Sequence, residues 1–182
     1  RFQQLTSPAA AKAVEDTACY RSGVLLSRND VGFDPQIFSA PVESFHARCL
    51  ERAEHFPQNL LTTATHDHKR GEDTRARMAV ISERAEWFAE KARHWRQLAY
   101  GVRQQLADGP APSPGDELLL YQILLGSWPL EMSADDQAGV EAYCERIGKW
   151  LEKALREAKL RTSWTDPNSD YESACQQYLR AL

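Results

Sequence analysis

His66 and Asp67 stand side by side in the stretch 60–77, LLTTATHDHKRGEDTRAR. An imidazole next to a carboxylate is a pairing that a catalytic site or a metal site can use. His68, Lys69 and Arg70 follow with nothing apolar between them, and Gly71 then breaks the chain. The same residues also fit a bland surface. An Asp a few residues before a helix can simply cap it, and a Lys-Arg pair on a turn is commonly just solvated. Spacing alone leaves both readings open.

The flanking residues say which elements must position the pair. Leu60, Leu61, Thr62, Thr63 and Thr65 form a short run that prefers an extended backbone. Glu72 and Asp73 sit where acids favour the positive end of a helix dipole. The local pattern is therefore strand, polar turn, helix. Barrels and open α/β sheets carry their chemistry at the C-terminal ends of strands, which makes His66 and Asp67 the first candidates for a site.

The 182 residues suffice for one sizeable core or two small ones. Hydrophobic content of 42%, charged content of 26% and a formal net charge of -4 describe an ordinary globular chain with no apolar run of membrane-spanning length. The chain begins with Arg1, which suggests a piece of a longer protein. Cys19, Cys49, Cys144 and Cys175 show no CxxC pairing, so they read as small apolar residues of a reducing compartment, with the cytoplasm as the expected location.

In order, Ser7 and Pro8 predict a helix start, with Lys12, Glu15 and Asp16 sharing one face at i, i+3 and i+4 spacing. The run 27–35, SRNDVGFDP, is a loop by composition. Pro41 starts a helix to about Phe56 with Phe45, Cys49, Leu50 and Ala53 on one face. After the turn, a helix from Glu72 to about Ile81 buries Met78 and Ile81. Ser82 is then expected to cap a helix whose apolar set is Trp87, Phe88, the stem of Lys91, Trp95, Leu98 and Val102. Basic residues there are interleaved with Glu83, Glu86 and Glu90, the pattern of a salt-bridged face, which argues against nucleic-acid binding. The run 108–115, DGPAPSPG, reads as a linker. An almost wholly apolar helix follows over 116–129, then the longest helix, about 134–160, with Tyr143, Ile147, Trp150, Leu151, Ala154 and Ala158 as its core stripe. A loop at 161–170 exposes Trp164 either to plug a gap between helices, the favoured reading, or to stack on a sugar. A last helix runs from Tyr171. Three units result: 1–59, 60–83 and 84–182.

Several of these strings resemble maltooligosyltrehalose synthases, a branch of the α-amylase superfamily. The string THDxKRxED with the following RAR is similar to that family's seventh-strand motif. RFQQ, EDTA and a following Tyr (Arg1, Phe2, Gln3, Gln4, Lys12, Glu15, Asp16, Thr17, Tyr20) match a second block, and YQILLGSWP and TSWxxPNxxYE match two more. Two positions depart from the family. Asn29, Asp30, Val31 and Gly32 stand where it has NEVG, and His68 stands where it has Thr. The resemblance implies a mainly α, multi-helix piece of a (β/α)8-barrel enzyme, with at most a short remnant of strand. It also implies conversion of the reducing-end α-1,4 link of a maltooligosaccharide to α,α-1,1 by intramolecular transglycosylation, with no metal or organic cofactor. Asp67 would bind hydroxyls of the reacting sugar and His66 a neighbouring hydroxyl. Lys69 and Arg70 would hold the turn or reach the released glucose. The nucleophile and general acid of a retaining enzyme lie on earlier strands, and neither motif occurs here. The isolated chain is thus expected to be inactive, and its oligomeric state is open.

Two rival readings remain. A helical HD-type phosphohydrolase would ligate metal through His66, Asp67, His46 and a later Asp such as Asp108. A non-catalytic helical interaction module would leave the charged turn as mere surface.

Overall fold

Helices dominate the computed structural model, which describes residues 1–34 and 36–182. In chain order they are α1 (Phe2–Ala10), continued by a π-helical segment (Ala11–Ala18), α2 (Cys19–Arg21), α3 (Val42–His55), α4 (Glu72–Ala79), α5 (Ala85–Leu98), α6 (Pro114–Ser127), α7 (Gln137–Ala158) and α8 (Ser169–Ala181). A two-stranded antiparallel sheet, β1 (Gln104–Leu106) with β2 (Gly109–Ala111), lies between α5 and α6.

The core is built around α6. Its sequence has almost no polar face, and Leu119, Leu120, Tyr121, Gln122, Ile123 and Gly126 are all buried. Ser113 caps it, with its hydroxyl accepting the Asp116 N–H at 3.2 Å. Helix α4 crosses α6 where Gly126 meets Met78, a residue with no exposed surface. Tyr143, Ile147, Leu151 and Leu155 of α7 and Tyr171, Cys175, Tyr178 and Leu179 of α8 complete the cluster. Glu117, an acid carried into this core, is paired. The Glu117 carboxylate accepts the Tyr121 hydroxyl at 3.0 Å and the Tyr178 hydroxyl at 2.6 Å, and the guanidinium of Arg103 stands 3.7 Å away.

Two buried contacts fasten the N-terminal third to this core. Gln122, fully buried, donates to the Gly23 carbonyl at 2.7 Å and accepts the Leu26 N–H at 2.9 Å. Tyr20 packs with Ala154 and Ala158 of α7, where Arg21 donates to the Ala158 carbonyl at 2.6 Å.

Several expectations need correction. The first helix starts at Phe2, so Pro8 lies inside it and Ser7 caps nothing. Ser82 donates to the Ala79 carbonyl and does not cap α5, which begins at Ala85 after a 3-10 segment. The run 60–65 forms no strand: Leu60 and Leu61 are exposed, and among the described residues no second strand lies beside them to satisfy an extended backbone. The 108–115 run is not a linker but the second half of the hairpin and the cap of α6. Gly109, at φ +124, opens β2 straight after the two-residue turn, and Ala111 and Pro112 are buried. The apolar face expected on α3 is solvent-exposed, since none of its residues is buried. On α5, Phe88 is buried but Leu98 is not. Trp164 plugs no gap, being 51% exposed beneath the Arg156 guanidinium, 4.9 Å from its ring centre.

Candidate functional site

The turn 65–70 is built by its own backbone and then docked onto two loops. His68 N–H closes it on the Thr65 carbonyl at 3.2 Å. The His68 ring folds back, its Nδ1 accepting the Thr65 N–H at 2.8 Å. That hydrogen bond leaves the ring proton of neutral His68 on Nε2. Behind the turn, Arg75 of α4 donates to the Thr63 carbonyl. Glu72 and Asp73 occupy the first turn of α4 as their charge predicts, with Gly71 at the N-cap.

Of the four residues expected at the site, two face out and two face in. His66 and Asp67 are adjacent and open to solvent, with side chains 90% and 62% exposed and Nε2 3.4 Å from a carboxylate oxygen. Lys69 and Arg70 turn inward. The Lys69 side chain, only 8% exposed, reaches Asp16 with its ammonium at 2.6 Å. Arg70 is buried, and its Nη1 donates to the Asn29 carbonyl at 2.9 Å. In this structure both basic side chains are committed to holding the turn.

The groups that receive them come from the N-terminal third. Asp16 accepts from Lys69 and also from Lys12, one turn before it on the same helix. Burial pushes the Asp16 carboxyl up, but hydrogen bonds from the two lysines outweigh it and hold the pKa below the ordinary carboxylate value. Burial works against the charged form of Lys69, yet Asp16 raises its pKa, so the two partners agree on an ion pair. Burial lowers the pKa of Arg70. Asp30, 5% exposed, accepts three backbone N–H groups: those of Val31 at 2.8 Å and Lys69 at 2.9 Å on one oxygen, and that of Arg70 at 3.3 Å on the other.

Sequence reasoning placed Asp16 on the right face but missed both its second lysine and the part played by Asp30. Neither partner is legible locally, because Lys69 lies 53 residues beyond Asp16 and 39 beyond Asp30. The metal reading finds no geometry. His66 and Asp67 sit in a turn and not a helix, Asp108 is held by Arg161 at 2.6 Å, and no group of three metal-ligating side chains converges among the described residues. No described helix is long and apolar enough to cross a membrane. A groove of about 570 Å³ lies elsewhere, between Trp95, Leu98, Leu124 and Trp128; its apolar lining includes no residue of the turn.

No family model matches the chain. It is 38% identical over 179 residues to a Mycobacterium tuberculosis protein described as "Putative maltooligosyl trehalose synthase". That alignment covers 98% of this chain and 21% of the relative. A crystal structure of a maltooligosyl trehalose synthase superposes with a TM-score of 0.83 at 32% identity, covering 98% of this chain and 22% of that one. The Arthrobacter ramosus maltooligosyltrehalose synthase gives a TM-score of 0.77 at 33% identity over 100% of this chain and 21% of its own. The chain thus spans about a fifth of the length of these relatives.

Proposed function

Because this chain is homologous along 98% of its length to one stretch of maltooligosyl trehalose synthases, we propose that it contributes part of the active site of such an enzyme. The reaction is an intramolecular transglycosylation, in which the α-1,4 link at the reducing end of a maltooligosaccharide becomes α,α-1,1. One carboxylate outside this chain forms the glycosyl-enzyme while a second protonates the departing glucose; that glucose turns over and its anomeric hydroxyl attacks.

The role assigned to Asp67 is to accept hydrogen bonds from hydroxyls of the sugar whose anomeric carbon reacts. These bonds strengthen as the ring flattens toward an oxocarbenium ion, so they favour the transition state over bound substrate. His66 offers a donor to a neighbouring hydroxyl. Water has to be kept out while the glucose turns, because hydrolysis competes for the same glycosyl-enzyme.

The observation that carries this reading is the pairing of an open carboxylate with a clamped backbone. Asp67 is 62% exposed on a turn whose Lys69 and Arg70 amides are both held by Asp30. The test is incubation of maltopentaose with a full-length protein carrying this chain and, separately, with the 182 residues alone. The full-length protein is expected to consume reducing ends without shortening the oligosaccharide, and the isolated chain to leave them untouched. Reducing ends that persist with the full-length protein, or vanish with the isolated chain, would overturn the proposal.

A further inference from the structure

We propose that Asp30 is a positioning residue for Asp67: by accepting the Lys69 and Arg70 backbone N–H groups, its carboxylate sets the direction in which Asp67 leaves the turn. This inference rests on the reading of Asp67 given above. It starts from a buried carboxylate that the mechanism does not use. At 5% exposure Asp30 would be costly to bury unpaired, yet its hydrogen bonds are to backbone amides and not to a cationic side chain. Amide donors are rigid where a lysine is flexible, so one side chain that accepts from two of them constrains the backbone between its neighbours. The acid therefore fixes backbone geometry.

The anchor is itself anchored. Leu26, four residues earlier, is fully buried with its N–H on the Gln122 side chain of α6, and Asn29 donates to the Ser22 carbonyl at 2.5 Å. The core helix is thus linked to residues 69 and 70 in steps: Gln122 holds Leu26, the Leu26 carbonyl accepts the Asn29 N–H at 3.1 Å, and Asp30, next in the chain, holds the two amides. The other end of the turn is closed by the His68 N–H on the Thr65 carbonyl. Between these fixed points His66 and Asp67 alone project their side chains outward. Catalytic groups tolerate little displacement, and an error of about 1 Å can cost ~100-fold in rate.

Asparagine at position 30 turns one acceptor oxygen into an NH2 group that faces an amide N–H, so it cannot hold both amides. Glutamate keeps both oxygens. Backbone exchange is read on the 182-residue chain and kinetics on the full-length protein. Asp30→Asn is expected to speed hydrogen exchange at the Lys69 and Arg70 amides at least ~10-fold, with the Leu151 amide of α7 unchanged. Full-length Asp30→Asn is expected to lose ~10- to 100-fold in kcat on maltopentaose with little change in KM, because a misplaced Asp67 weakens contacts made mainly in the transition state. Asp30→Glu is expected to restore both. Unchanged exchange at residues 69 and 70 would overturn the proposal. So would exchange that rises equally throughout α7, or an Asp30→Asn chain that does not fold, since either makes Asp30 a general stabiliser. A wild-type full-length protein without transglycosylation would sink the functional reading, yet leave the exchange result standing.

Discussion

Asp16 and Glu172 are both gripped by cations, and both carboxyls are held below their ordinary range. For Glu172 the Arg156 guanidinium, at 2.8 and 2.7 Å, does most of this, against the opposing effect of burial and with help from the Thr162 hydroxyl at 2.5 Å. A carboxyl whose folded pKa is depressed adds stability above its unfolded pKa. That stability is lost as pH falls toward the folded value. Thermal unfolding followed from about pH 6 to pH 3 is therefore expected to show Tm falling less steeply in Glu172→Gln and Asp16→Asn than in the wild type. Parallel curves for all three proteins would refute the assignment. Burial also raises the pKa of the Cys175 thiol, to about 12, and that of Cys19. Cys49 is exposed. Thiol alkylation at neutral pH is expected to mark Cys49 first and to reach Cys19 and Cys175 only on unfolding.

At the scale of elements, α7 and α8 were legible because their apolar residues recur at the helical period and their burial follows from it, as Tyr143, Ile147 and Leu151 show, and α6 because its run is almost wholly apolar. The hairpin at 104–111 was not. Pro110, Pro112 and Gly109 carry the composition of a linker, and a two-residue turn between three-residue strands leaves too short a pattern to read. The run 60–65 has genuine β preference, but preference does not supply a neighbouring strand. The crossing of α4 and α6 was also illegible, since its signal is a single small residue. A Cβ at Gly126 would lie 2.5 Å from Met78 Cγ and 3.2 Å from the Thr74 carbonyl oxygen. Gly126→Ala is accordingly expected to destabilise the chain by about 1–3 kcal/mol in chemical denaturation through overpacking. Met78→Ala, which empties a fully buried site, is expected to cost about 2–5 kcal/mol. A neutral Gly126→Ala would show that the helices separate freely at this point.

Over the whole molecule, burial is uneven. The C-terminal half packs tightly, whereas Phe2, Leu5, Phe45, Leu50, Leu60 and Leu61 lie open to solvent in the N-terminal third. The site inherits this division: its outward pair sits on the sparse side, while the bonds that hold it run back to α6. The resemblance pointed to Asp67, and local pattern gave the helix that follows it. What docks the turn onto the rest of the chain came from residues distant in sequence, Asp16 and Asp30. The central claim is that Asp67 grips the sugar undergoing attack, and Asp67→Asn in a full-length protein carrying this chain tests it most directly. The steady-state rate of α,α-1,1 product formation from maltopentaose is expected to fall at least ~1000-fold, with the circular dichroism spectrum and Tm unchanged because the side chain is exposed and supports no packing. Turnover within about twofold of wild type would contradict the account.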